Sequence, residues 1–192
     1  MNKTRLEAFS DAVIAIIMTI MVLELKVPHG TDLESLRPLV PVFLSYVLSF
    51  VYLGIYWNNH HHMLQATRKV NGKVLWANLN LLFWLSLFPF ATGWMGENHF
   101  APIPTAGYGI VLLLAALSYT ILQNKIMKHS KGENELLASA IGRDLKGKIS
   151  IVCYTLAIPL AFVNTWISNV LYVFVAAMWF IPDRRIELKV DE

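Results

Sequence analysis

The sequence predicts an all-α integral membrane protein of six transmembrane helices, and three observations carry that prediction. The first is composition: 56% of the 192 residues are hydrophobic and 15% are charged, with a mean hydropathy of +0.50. Soluble domains average about 25% charged residues. The second is recurrence, with apolar stretches at about residues 5–26, 38–62, 74–95, 103–127, 149–165 and 169–182. The third is charge placement, since 14 of the 16 Lys and Arg residues fall on one side of that six-span layout. Only Lys26 and Arg37 fall on the other. The positive-inside rule then places both termini in the cytoplasm, in a multi-pass protein of the cell membrane. Residues 1–192 form a single transmembrane domain on this reading.

The first stretch, RLEAFSDAVIAIIMTIMVLELKV, has the length a helix needs to cross the hydrocarbon core. It nevertheless carries Arg5, Glu7, Ser10 and Asp11 in its first two turns. Charge at that depth is costly unless it faces protein or a water-filled path. Ile16, Ile20 and Leu23 follow at spacings of four and three, which put them on one side of a helix. With Ala12 and Thr19 they make an apolar stripe. At about 100° per residue, Asp11 points roughly 140° away from Ile16. The carboxylate is therefore expected to face the other helices of its own subunit. A polar collar below a narrow aliphatic stripe is the pattern of a pore-lining helix, although such stripes more commonly meet lipid. Acidic residues inside the stretch, and its length, also argue that it is retained rather than removed as a signal peptide.

Pro28, His29 and Gly30 break the chain after the first span, and Arg37–Pro38 opens the second. The second span ends in Trp57-Asn58-Asn59-His60-His61-His62. It runs inward, so these side chains reach the depth of Arg5, Ser10 and Asp11, which puts imidazoles and the indole N–H of Trp57 beside an intramembrane carboxylate. A carboxylate–hydroxyl–imidazole network is expected there, because unpaired polar groups at membrane depth are expensive. Consecutive histidines point in different directions, whereas zinc-binding helices use i, i+3 or i, i+4 pairs. No metal site is expected. Pro89 and Pro159 should kink the third and fifth spans, as neighbouring helices permit. Pro102 and Pro104 stand at the start of the fourth, where proline costs little.

Asn78, Asn80, Asn164 and Asn169 are expected to join helices by hydrogen bonds. The connection 128–148 is the one sizeable cytoplasmic segment, and its residues 134–141 suit a short helix on the membrane surface. The last two spans are short, so a hairpin that enters and returns competes with two crossings; six spans is the favoured count. A single cysteine, Cys153, excludes an internal disulfide and a cysteine-rich metal centre. No GxSxG-type setting supplies a nucleophile, and the net charge of +3 is no nucleic-acid signal. The matched broken helices of an inverted-repeat transporter are also missing from the sequence.

Arg5-x-x-x-Phe9-Ser10-Asp11 resembles the RxxxFSD signature of the TMEM175 family. The TrpAsnAsnHis run from Trp57 to His60 and the ProAspArgArg run at 182–185 are also similar to that family. The resemblance covers the chain as one six-helix unit of the prokaryotic kind. It implies a homotetrameric channel permeable to K+ and possibly other monovalent cations. The first helix would line the pore, with no TVGYG filter loop, no enzymatic activity and no cofactor beyond the permeant ion. By offset from Asp11, it implies a hydrophobic constriction at Ile16, further rings at Ile20 and Leu23, and a hydroxyl layer at Thr19. Arg5, Phe9, Ser10 and Asp11, with Trp57 and His60 or a neighbour, would hold the helix ends. Two alternatives come from other classes: a proton-coupled carrier using Asp11 and His60, and a membrane-embedded, histidine-dependent metal enzyme.

Overall fold

The computed structural model describes residues 3–65, 67, 70–129 and 144–180. The basic residues Arg68, Lys69, Lys131, Arg143, Arg184, Arg185 and Lys189 lie outside the described residues. So do the expected surface helix at 134–141 and the ProAspArgArg run.

Every described segment of regular structure is helical. Helix α1 spans Lys3–Leu23, and a 3-10 turn follows at Leu33–Leu39. Then come α2 (Val40–Gln65), α3 (Gly72–Ser86), α4 (Phe88–Glu97), α5 (Pro102–His129), α6 (Leu145–Leu160) and α7 (Thr165–Phe180). Asp32 starts the 3-10 turn by accepting a hydrogen bond from Ser35 N–H, and Asn71 starts α3 in the same way through Val74 N–H. Such caps satisfy amides that have no partner within the helix.

The two internal prolines act differently from a simple kink. Pro89 has no N–H, so the ladder is interrupted at Leu87, which turns between α3 and α4. The ladder resumes when Ala91 N–H reaches Leu87 C=O. The two pieces together make one 26-residue stretch, Gly72–Glu97. Pro159 stands one residue before the end of α6 and terminates it. The chain then reverses through 161–163, and Asn164 caps α7 by accepting from Trp166 N–H at 2.9 Å. The expectation that Asn164 joins helices is therefore corrected: its side chain serves a helix start.

Among the described residues, four stretches are long and apolar enough to cross a membrane, namely Lys3–Leu23, Leu33–Gln65, Gly72–Glu97 and Pro102–Lys128. Helices α6 and α7 have 16 residues each, about 24 Å of rise, which is short of a hydrocarbon core of about 30 Å. They form an antiparallel pair packed on α5.

The core sits between α2, α4, α5, α6 and α7 and is strongly aromatic. Tyr52, Phe88, Tyr108, Tyr154 and Tyr172 meet mainly edge to face at centroid distances of 5.5–6.4 Å. Their hydroxyls are disposed of internally: Tyr52 OH donates to Tyr172 C=O at 2.6 Å and Tyr172 OH to Thr105 C=O at 3.1 Å. Tyr108 OH pairs with Ser49 Oγ, which accepts from Thr92 Oγ1. Helix α4 lies close against α2 at Gly96, where a Cβ would stand 2.7 Å from Val42 Cα and also strike Ser45 Oγ. Backbone cannot yield there as a flexible side chain would. Gly96→Ala is therefore expected to cost about 1–3 kcal/mol by overpacking. Thermal unfolding of the purified protein should show a lower Tm for it than for Gly54→Ala, where a Cβ meets open space.

Candidate pore-lining face and the polar network behind it

Helix α1 presents two contrasting faces. Leu6, Ser10, Ile14, Ile17 and Met21, at spacings of four, four, three and four, are buried against α2, α3 and α4. The opposite face is bare. Ile16 is 58% exposed, Leu23 76%, and Phe9, Ala12, Thr19 and Ile20 are exposed too. The stripe picked out by its spacing thus turns away from the rest of the protomer. Ile16 and Ile20 border an open groove of about 610 Å³ whose far wall is α4, with Phe90 and Trp94 opposite them and Glu24 and Glu97 at its rim.

The burial of Ser10 has a specific cause. Asn78 on α3 donates from Nδ2 to Ser10 Oγ at 2.9 Å, and Ser10 donates onward to Leu6 C=O at 2.8 Å. On its other side Asn78 Oδ1 lies 2.7 Å from His60 Nε2. An amide oxygen only accepts, so this contact places the imidazole proton on Nε2. All three bonds then run in one direction, from α2 through α3 to α1. Ser10, Asn78 and His60 are each fully buried. His60 Nδ1 has no hydrogen-bond partner among the described residues.

The expected carboxylate–hydroxyl–imidazole network is corrected in two respects. Asn78 stands between serine and histidine, and Asp11 is not joined to an imidazole. Asp11 Oδ1 accepts instead from Trp57 Nε1–H at 3.1 Å, in a half-exposed position. Of the histidine run, His60 enters the network. His61 lies on the neighbouring face, stacked on Trp57, with Nε2 2.8 Å from Gln65 Nε2. Its Nδ1 is 3.2 Å from Glu7 Oε1 but off the line of a hydrogen bond. Arg5 is exposed. Asn78 was read from sequence only as a helix-joining residue, and the Glu7–His61 contact was missed. Glu7 lies on the same face as Asp11, four residues before it, and that spacing is the signal for it in the sequence. Among the described residues no three His, Cys, Asp or Glu side chains form a metal-binding group.

Thr19 Oγ1 donates to Ala15 C=O at 2.8 Å. That bond commits the hydroxyl proton to the helix and leaves the oxygen's acceptor side outward. Three residues past the end of α1, Lys26 Nζ bonds Glu97 Oε1 at 2.6 Å, tying the chain there to the last residue of α4. The hydrogen bond to Glu97, and secondarily its charge, push the Lys26 pKa up.

Comparisons with known proteins agree on the kind of molecule. The family described as "Endosomal/lysosomal potassium channel TMEM175" matches residues 5–89. A potassium channel of Chryseobacterium sp. (strain P1-3) is 56% identical over 192 residues, covering all of both chains. One of Chamaesiphon minutus is 30% identical over 191 residues, covering 92% of each. The crystal structure of a lysosomal potassium-selective channel TMEM175 homolog from Chamaesiphon minutus superposes with a TM-score of 0.79 at 26% identity, covering 93% of this chain and 96% of that one.

Removing the middle of the network should be the damaging change. Asn78→Leu leaves the buried His60 Nε2–H unsatisfied, a loss of about 1–3 kcal/mol. Trp57→Phe frees a half-exposed carboxylate that water can reach, and should cost about 1 kcal/mol or less. Chemical or thermal unfolding of the two variants side by side checks the order.

Proposed function

The chain belongs to the TMEM175 family, and we propose that it is a potassium-permeable channel whose α1 helices, one from each of four copies, surround an axial path. The single observation that carries this reading is the exposed α1 stripe of Ile16, Ile20 and Leu23, backed by a buried network that holds its orientation. Four copies would set Ile16 as the narrowest ring, where a cation must shed or squeeze its water. Thr19 would present four hydroxyl oxygens near that ring, each with its proton already engaged by its own helix. Ile20 and Leu23 would add further apolar rings toward the outside. Apolar constrictions gate by dewetting, so a small rotation of α1 is enough to open or close such a path. Arg5, Phe9, Ser10, Asp11, Trp57 and His60 would set that rotation.

The remaining parts of the reading are a homotetramer in the cell membrane, six crossings per copy, and both termini in the cytoplasm. The relatives are channels and not enzymes, which leaves the embedded metal enzyme without support. Proton passage has one specific point in its favour: a human relative named as an endosomal/lysosomal proton channel is 35% identical over 81 residues, covering 36% of this chain and 16% of that protein. Asp11 and His60 do not touch each other, which weighs against a proton-coupled carrier built on that pair.

Flux into liposomes loaded with purified protein tests the proposal. Potassium should pass without added metal and without a pH gradient, faster than sodium. Ile16→Asn should raise the flux severalfold and bring the potassium and sodium rates closer together. Unaltered flux in that variant would remove Ile16 as the constriction.

A further inference from the structure

A second surface lies where α3 and α5 run antiparallel. A groove of about 820 Å³ opens between the start of α3 and the end of α5, with Lys73, Trp76 and Asn80 on one wall and Ile121 and Lys125 on the other. Its level is set by one hydrogen bond, from Asn80 Nδ2 to Ser118 Oγ at 2.6 Å. Lys73 lies seven residues before Asn80, and Lys125 seven residues after Ser118. Seven residues are two helical turns and about 10.5 Å of rise, so each lysine returns to the face of its partner in that bond. The helices being antiparallel, both lysines therefore stand at the same height, flanking one groove. Both are exposed, and neither is ion-paired among the described residues.

One turn deeper stands Trp76, 75% exposed, an amphipathic ring of the kind found at the level of lipid headgroups. Deeper still, past the Asn80–Ser118 bond, the exposed large side chains are apolar, with Leu79 and Phe83 on α3 and Leu117 and Ile110 on α5. Two cations at one level, an indole next, and an apolar trough beyond match the profile of a phospholipid from headgroup to acyl chain. We propose that this groove binds an anionic phospholipid, its phosphate between Lys73 and Lys125 and an acyl chain along Trp76, Phe83 and Leu117. Charge complementarity selects an anionic headgroup over a zwitterionic one, because two ammonium groups without an ion pair among the described residues add positive charge at the level of the phosphate.

Full-chain protein in nanodiscs of equal phosphatidylglycerol and phosphatidylcholine, released and weighed by native mass spectrometry, tests this. The native protein should retain phosphatidylglycerol in preference to phosphatidylcholine. The double variant Lys73→Gln/Lys125→Gln should lose about thirtyfold of that preference, at about a factor of five per lysine. Lys73→Arg/Lys125→Arg should keep it, which separates lost charge from lost folding. Retention of phosphatidylglycerol by the glutamine variant as by the native protein overturns the proposal. So does equal retention of the two lipids by the native protein. Displacement of the lipid by inorganic phosphate would show a simple anion site, and cross-linking of two copies through Trp76→Cys would show a covered subunit face; either overturns it as well. Bound lipid is the readout, so the result is independent of whether the chain conducts ions.

Discussion

The structure depends on one constraint: a buried hydroxyl, carboxamide and imidazole in a low-dielectric interior must satisfy one another. Ser10, Asn78 and His60 do so through bonds of 2.9 and 2.7 Å across three helices. In water such bonds would be nearly neutral exchanges, but where no water competes an unmade bond carries the full desolvation cost. The link therefore fixes the rotation of α1 about its own axis. A helix turned to bury Ser10, Ile14 and Ile17 has no choice but to expose Ile16, Thr19 and Leu23. The aliphatic stripe is the consequence of the polar link.

The same rule governs the remainder of the bundle. Four buried tyrosines and several small hydroxyl residues would be liabilities in a membrane interior if left alone. Tyr52, Tyr108 and Tyr172 are consumed by carbonyls and hydroxyls of neighbouring helices, so each ring packs as a hydrophobe while its polar tip sews two helices together. Glycine lets α4 approach α2 at Gly96 and lets Tyr172 OH approach α5 at Gly109. Packed on that frame, α1 has an uncovered apolar side next to an open groove. A second copy is the natural cover for it in the proposed assembly, with the bilayer as the competitor.

Much of this was legible in the sequence. Spacing alone separated the two faces of α1, because period 3.6 maps directly onto burial in a straight helix. Proximity of the second span's end to the collar followed from topology. What spacing could not supply was the identity of the link. Asn78 lies 68 residues from Ser10, and only the relative rotation of α1 and α3 decides that its amide, rather than Asp11, reaches the serine. Topology brings both the imidazoles and the indole N–H of Trp57 to the depth of Asp11, and it is the indole that bonds the carboxylate. Pro89 and Pro159 were seen as interruptions, but whether a proline bends, splits or ends a helix depends on neighbours absent from a linear pattern. Asn164 looked like helix glue for the same reason, and is a cap.

The central claim is that Ile16 meets a water-filled axis while Ile14, two residues away, meets protein. Cysteine accessibility during ion flux tests it most directly, with Cys153, the chain's only cysteine, replaced by serine. A small charged methanethiosulfonate reagent should block potassium flux through Ile16→Cys and leave Ile14→Cys conducting. Flux through Ile16→Cys that persists at full reagent exposure, or block at Ile14→Cys instead, would contradict the account.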